Sequence, residues 1–368
     1  MSGDPQRVLF DINHPAQVHL FRPVIGDLES RGHETLVTSR DKEITTALLD
    51  AYEVPHECLS TEGGGLLATA AEMGVKGARL FRLARSFDPD VVVARPNPPA
   101  IYVANLLGAR TVMLRDTVIP SRVLRACYRG LMLPFVDDLC APAGFETSLT
   151  GGRNHTLGFQ ELAYLHPDRF EPDRDRLATR GVATDEPYFV LRFAAWEAYH
   201  DVGGAGWSTE GKRALIEELD QHGTVYVSSE GDLPEEFSEY ELTVPPHLIH
   251  DLLYFADLYA GDSQTMATEA ALLGTPVIRV NSKVGAHEMR NFEELAERGL
   301  LFSFRDEERA LQQARDLVAG PAATDWQRRR RELIADKPDV AAYLRDLILD
   351  PDGVERRRGE APITVASS

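Results

Sequence analysis

Residues 261–276 read GDSQTMATEAALLGTP and follow the apolar run DLLYFADLYA. Asp262, Ser263, Gln264 and Thr265 therefore stand where a strand hands over to a helix, with the acid Glu269 one helical turn past Thr265 on the same face. A helix start carries unpaired N–H groups and about half a positive charge, so it receives anions. The hydroxyls of Ser263 and Thr265 and the amide of Gln264 could donate to a diphosphate, and Glu269 could take two vicinal ribose hydroxyls. The plainer alternative is that Ser263 only caps the helix and Glu269 is a solvated acid.

Other groups invite the same two-sided reading. In RFAAWEAYHD (192–201), Arg192 could clamp a phosphate through two N–H bonds, Trp196 could stack on a base or sugar, and His200 with Asp201 could form an acid/base pair. Equally, Trp196 could be core and Arg192 an ion-pair partner. In DINHPAQVHLFRP, His14 and His19 are expected on the loop after the first strand, where an imidazole suits general base work on a hydroxyl. His19 is the first choice, and Asp11 at the strand end could orient the ring. Asp116, in RDT at another strand end, could bind an acceptor or assist a histidine.

Several chemistries are disfavoured. DPD at 88–90 precedes its strand and reads as a turn rather than a metal motif. There is no Walker loop and no GxGxxG, which argues against ATP hydrolysis and dinucleotide redox chemistry. No metal-ligand cluster stands out, so neither metal nor cofactor is expected. The three cysteines, Cys58, Cys127 and Cys140, suggest no disulfide framework or zinc site.

The elements that must hold these residues alternate. RVLFDI, ETLVTS, DPDVVVA and RTVML read as strands, separated by helical stretches that include KEITTALLDAY and NPPAIYVANLLGA. The first helix is expected to open at Pro23 and end at Gly32. The pattern lapses over 157–187 and resumes with YFVLRF, TVYVSS, DLYAG and PVIRV. The expected organisation is α/β: two doubly wound Rossmann-like domains facing across a cleft, their strand ends offering loops to it. The boundaries are 1–160 for an acceptor domain, 161–187 for a connection, 188–325 for a nucleotide-sugar domain, 326–350 for terminal helices and 351–368 for a loose tail.

A net charge of −19 with only five lysines suggests a salt-loving host and disfavours nucleic acid as a partner. The alternative is an acidic enzyme of a GC-rich genome. The start of the chain does not read as a signal peptide and no run is long enough to span a membrane, so a cytoplasmic protein is expected. Met73–Val136 is the exception to the acidity, at +7, and Lys76, Arg79, Arg82 and Arg85 recur every three residues. This basic 76–133 region could pair with acids elsewhere on the protein, or rest on an anionic membrane as a peripheral contact.

The Asp-Ser pattern, with Glu six residues after the Ser and then Gly-x-Pro, resembles the nucleotide site of UDP-N-acetylglucosamine 2-epimerases, which implies phosphate for Ser263 and ribose for Glu269. Gln264-Thr265 replaces that family's Gly-Gly. HEMRNFEELAERG (287–299) is similar to a donor-sugar stretch of peptidoglycan N-acetylglucosaminyltransferases, which implies sugar contacts for His287, Glu288 and Asn291, with Glu288 in place of Gln. Read without that likeness, His287 and Glu288 are surface residues opening a helix. HPAQVHLF, ELAYLHP, RFAAWEAYHD and TMATEAALLGTP resemble an archaeal and bacterial family, domain of unknown function 354, of the B-fold glycosyltransferase superfamily. The resemblance implies a metal-independent glycosyltransferase with a UDP-linked sugar donor and a glycan or lipid-linked acceptor. A UDP-sugar 2-epimerase and a non-catalytic nucleotide-sugar-binding subunit are the rivals.

Overall fold

The computed structural model describes residues 4–61, 66–116, 119, 121–142, 152–193, 206–229, 233–281, 290–320, 323–335 and 337–360. The chain divides into two compact units, Met1–Arg169 with Pro338–Ser368, and Phe170–Lys337.

The first unit begins β1 (Arg7–Ile12), α1 (Pro15–Glu29), β2 (Glu34–Asp41), α2 (Thr45–Ala51), β3 (Glu57–Thr61), α3 (Leu66–Phe87), β4 (Val91–Ala94), α4 (Pro98–Leu107) and β5 (Arg110–Leu114). It continues with α5 (Arg122–Cys127), β6 (Asp138–Ala141), β7 (Arg153–Thr156) and α6 (Leu162–Leu165). The second unit holds α7 (Arg174–Ala178), β8 (Tyr188–Phe193), α8 (Thr209–Leu219), β9 (Thr224–Ser229), α9 (Ile249–Phe255), β10 (Leu258–Gly261) and α10 (Gln264–Leu273). After these come β11 (Val277–Val280), α11 (Arg290–Glu297), β12 (Leu301–Phe304), α12 (Glu307–Val318) and α13 (Ala323–Ile334). The chain then returns to the first unit as α14 (Val340–Leu349) and α15 (Pro351–Glu360).

Both sheets are wholly parallel, in the orders β3-β2-β1-β4-β5-β6-β7 and β12-β11-β10-β8-β9. Helices cover both faces, which is why central strands such as β4 (VVVA) and β1 are apolar without alternation. In the second unit, Leu191, Phe193 and Ala260 share one core with Leu215 and Ile216 of α8 and Ala310 of α12. Strand residues alternate between faces, so Arg192, Tyr259 and Gly261 point the other way, toward the α10 side.

Four expectations are corrected. Helix α1 opens at Pro15 with His14 as its N-cap, and Pro23 lies inside it. Pro15 fits a first turn whose N–H would have no helical partner, while Pro23 forfeits one internal bond. Residues 351–360 are helix α15 rather than a loose tail. The stretches 161–187 and 326–350 are each shared: α6 and α14 belong to the first unit, α7 and α13 to the second. The cause is the stripe Val340, Ala341, Leu344, Leu347 and Ile348, which α14 buries in the first unit. Arg169, paired with both Asp27 and Asp339, and Arg345, paired with Asp27, reinforce it. The basic series on α3 is likewise no uniform stripe, because Lys76 is buried and Arg79 donates to the Leu59 carbonyl.

A second anchor for the returning helices is Asp138 at the start of β6. It accepts from Arg110 Nη1 at 2.6 Å, Arg153 Nε at 2.8 Å and His155 Nε2 at 2.9 Å, and His155 Nδ1 meets the Tyr343 hydroxyl of α14 at 2.9 Å. A carboxylate only accepts, so Nε2 carries a proton toward Asp138. Burial alone would raise the Asp138 pKa, but the bonds from His155 and Arg153 and the charge of Arg110 hold it at about 2. A folded pKa below the unfolded one gives stability that is complete above about pH 4 and disappears as pH falls through about 2. Roughly 2–3 kcal/mol is at stake. Asp138→Asn should therefore destabilise the first unit at neutral pH and flatten its stability between pH 4 and 2. Hydrogen exchange of β6 and β7 amides against pH measures this, and an unchanged slope would contradict it.

Candidate functional site

In each sheet the strand order reverses beside the first strand, between β8 and β10 in one unit and between β1 and β4 in the other. Flanking helices depart there on opposite faces, leaving a crevice at the carboxyl ends of the strands, the usual ligand position in this architecture.

In the second unit the reversal brings Arg192 of β8 into register with Gly261 of β10. A Cβ at Gly261 would stand 2.2 Å from the Arg192 carbonyl oxygen, so only glycine lets the strands approach this closely. The chain then turns through Asp262 into α10, with Ser263 as N-cap and its Oγ accepting from Met266 N at 3.4 Å. A capping hydroxyl uses a lone pair, and its own O–H stays available to donate. Ala267 N bonds the Ser263 carbonyl, which leaves the amides of Gln264 and Thr265 with no acceptor among the described residues. Gln264 is exposed and Thr265 half-buried. At its other end α10 stops at Gly274, whose φ of 85° suits glycine, so the helix is ten residues long and points its tip at the crevice edge.

Behind the tip lies Tyr259, fully buried, its hydroxyl within reach of Ser263 but without a well-formed hydrogen bond. Burial raises its pKa well above the ordinary value, as do the charges of Asp262 and Glu269, while Arg192 opposes them. The phenol thus stays protonated, and those three charged groups surround it. Arg192 Nη1 donates to Ser228 Oγ of β9 at 2.7 Å. Glu269 is no solvated acid: it is 4% exposed, and its Oε1 meets His250 Nε2 of α9 at 3.2 Å. Lys212 of α8, 3% exposed, lies under the influence of Asp262 and Glu307, and burial lowers its pKa. Arg279 of β11 is in register with Gly261 on its other side and stacks 3.9 Å from the Phe292 ring.

In the first unit the crevice floor is filled by the protein itself. Asp11, fully buried at the end of β1, accepts from Thr38 Oγ1 at 2.9 Å, Asn13 Nδ2 at 2.7 Å and Lys76 Nζ at 3.1 Å, and also from Asn97 Nδ2. None of these partners is a histidine, so the expected orienting role of Asp11 is replaced by an ion pair with Lys76. His14 stands above this floor, half-exposed, its Nδ1 accepting from Ala16 N at 3.3 Å and its Nε2 3.9 Å from Glu43. Burial lowers its pKa against the opposing pull of Glu43, and the charges of Lys42, Arg95 and Asp116 also act on it. Arg95 and Asp116 are themselves an ion pair. His19 does not lie on the loop: it is in the second turn of α1, 7% exposed, with its ring between Tyr52 and Tyr164 and Nδ1 3.2 Å from the Tyr52 hydroxyl.

The structure thus gathers Arg192, Ser263, Gln264, Thr265 and Glu269 at one strand-order reversal, and His14, Asp11 and Asp116 at the other. Asn291 is half-buried in the first turn of α11. His287, Glu288, Trp196, His200 and Asp201 lie outside the described residues. Tyr259 and Lys212 escape sequence reading because a Tyr in an apolar strand looks like core and a Lys on an amphipathic helix looks solvated. Lys76 was visible only as one of four evenly spaced cations.

Removing one partner of a buried ion pair leaves an uncompensated charge, at about 3–5 kcal/mol. Lys76→Met should cost about that much, and adding Asp11→Asn should recover a large part of it. A urea double-mutant cycle on the first unit checks this, and strict additivity of the two changes would refute the pairing.

A family model described as "Protein of unknown function (DUF354)" matches residues 6–285. An uncharacterized protein of Methanocaldococcus jannaschii is 26% identical over 281 residues, 74% of this chain and 80% of its own. Among solved structures, the UDP-GlcNAc 2-epimerase from Neisseria meningitidis bound to UDP-GlcNAc superimposes with a TM-score of 0.62 at 13% identity, over 93% of this chain and 99% of that one. Spinosyn forosaminyltransferase does so with a TM-score of 0.59 at 18% identity, over 94% of this chain and 100% of its own. At such identities the likeness is one of fold: two Rossmann-like domains of the glycosyltransferase B type. With the family match running from β1 past β11, this chain belongs to the DUF354 family.

Proposed function

We propose that the protein transfers a sugar from a nucleoside diphosphate sugar, with UDP as the nucleotide, to a hydroxyl of a glycan or lipid-linked acceptor. The observation that carries this reading is the start of α10, where two backbone amides have no acceptor among the described residues and Arg192 lies on the adjacent strand at a strand-order reversal. The diphosphate would accept from the Gln264 and Thr265 amides, the Ser263 hydroxyl and the Arg192 guanidinium, with the helix dipole adding to their charge. These same donors would stabilise the leaving diphosphate as the bond from its oxygen to the anomeric carbon breaks, so the scheme calls for no metal.

Glu269, held by His250, would take the pentose hydroxyls, and His287, Glu288 and Asn291 would meet the donor sugar. The acceptor oxygen forms the new bond to the anomeric carbon and gives its proton to a base. His14 suits that role better than His19, because it is half-exposed and its lowered pKa keeps it neutral at pH 7, while His19 is packed between two tyrosines. Asp116 and Arg95 would orient the acceptor.

A second reading is favoured by the recurrence of UDP-N-acetylglucosamine 2-epimerases among the similar structures. An epimerase would eliminate UDP and add it back with no acceptor. Incubation with UDP-N-acetylglucosamine alone separates the two, since inversion at C2 belongs only to the epimerase.

Thermal unfolding with UDP and UDP-sugars tests the shared premise. Ligand at 100 times its Kd should add about 2.7 kcal/mol of stability. Arg192→Ala should weaken binding about 10- to 100-fold through the loss of charge-assisted bonds. His14→Asn keeps a side chain able to cap α1 and should leave binding intact while turnover is lost. Absence of stabilisation by any nucleoside diphosphate or its sugars would overturn both readings.

A further inference from the structure

Six of the most exposed large hydrophobic side chains lie within one short part of the first unit: Tyr102, Leu106, Val123, Leu124, Leu131 and Phe135, between 42% and 72% exposed. Three of them, Tyr102, Leu131 and Phe135, are in direct contact. Tyr102 and Leu106 are one turn apart on α4. Tyr102 stacks edge-on to Phe135 at 5.6 Å and donates from its hydroxyl to the Leu131 carbonyl at 2.5 Å. A π-helical turn at 128–132 continues α5 without a break, so Leu124 and Leu131 belong to one helical segment. The same segment carries Arg122 and Arg125, three residues apart on α5, and Arg129 in the turn that follows. Helix α5 has no buried residue at all.

We propose that this surface docks on an anionic lipid bilayer, with the aliphatic side chains entering the acyl boundary and the arginines meeting headgroup phosphates. Charge decides between occupants. The chain carries −19 overall, so an anionic membrane repels most of it and attracts this face. A second copy joined about a two-fold axis would set these arginines near their own equivalents, where like charges oppose. Exposed apolar side chains and arginines on one helical segment are the chemistry of an interfacial anchor, and each surface arginine contributes to anionic-lipid affinity. No helix among the described residues is long and apolar enough to cross a membrane, so the contact is peripheral.

The test is flotation of the full chain with vesicles of phosphatidylcholine alone and of phosphatidylcholine mixed equally with phosphatidylglycerol. The mixed vesicles should carry the protein at low salt and release it at high salt, and the neutral vesicles should carry little. Leu124→Asp should abolish flotation, and Arg122→Glu with Arg125→Glu should reduce it on the order of 100-fold. All three positions are exposed, and unchanged circular dichroism and melting confirm the fold, with Leu131→Ser as an independent variant. Equal flotation with neutral vesicles, no flotation with mixed ones, or insensitivity to Leu124→Asp overturns the proposal. So does a dimer in solution that Leu124→Asp dissociates, since that assigns the face to a second copy.

Discussion

Everything chemical in this fold depends on a constraint of parallel sheets: all strands end at one edge, and a crevice opens only where strand order reverses. In the second unit that place is fixed by the approach of β8 to β10, and the approach is fixed by Gly261, whose missing side chain admits the Arg192 carbonyl. Arg192, the N-terminal amides of α10 and the Tyr259 phenol converge because the backbone beneath them leaves no other arrangement. The side chains supply donors, but the register supplies their coincidence.

The distribution of charge follows from burial. Acidic groups outnumber basic ones by 58 to 39, so most arginines could find a carboxylate on the surface, where pairs contribute little. The pairs that shape the fold are buried: Asp11 with Lys76, Asp138 with Arg110, and Glu269 with His250. Each sits where an element must be held at an angle that apolar packing alone does not specify: β1 against α3, β6 against the returning α14, and α10 against α9. Breaking the Asp11–Lys76 or the Asp138–Arg110 pair strands a charge, so these two fix geometry as well as stability.

Sequence reading recovered what depends on local pattern. The strands β1, β2, β4, β5, β8, β9, β10 and β11 and the capped start of α10 are legible because apolar runs and turn residues mark them. The short strands β3, β6 and β7 (ECLST, DLCA, RNHT) lack such runs and gain their place from neighbours. The opening of α1 differs from expectation because Pro15 rather than Pro23 takes the first turn, with His14 as its cap. The tail was called loose from its polarity, although α15 follows directly on α14, whose apolar stripe is buried. At the site, Ser263 and Glu269 were visible by spacing, whereas the pairing of Glu269 with His250, nineteen residues earlier, exists only once α9 lies against α10.

The two reversals are also unlike in a way that bears on what each can bind. That of the first unit is floored by a closed set of bonds in which Asp11 meets Lys76, Asn13, Thr38 and Asn97, so its polar capacity is spent inward. What it offers outward is neutral or already paired: His14, with its pKa lowered, and the Arg95–Asp116 pair. A surface of that kind suits an uncharged, hydroxyl-rich ligand, which needs directional partners but no net charge. The second unit starts α10 with two amides that have no acceptor among the described residues, with Arg192 on the neighbouring strand and the Asp262 carboxylate in the same turn. Of the two places, the start of α10 is the more favourable for negative charge, because its N–H groups and the helix dipole face outward.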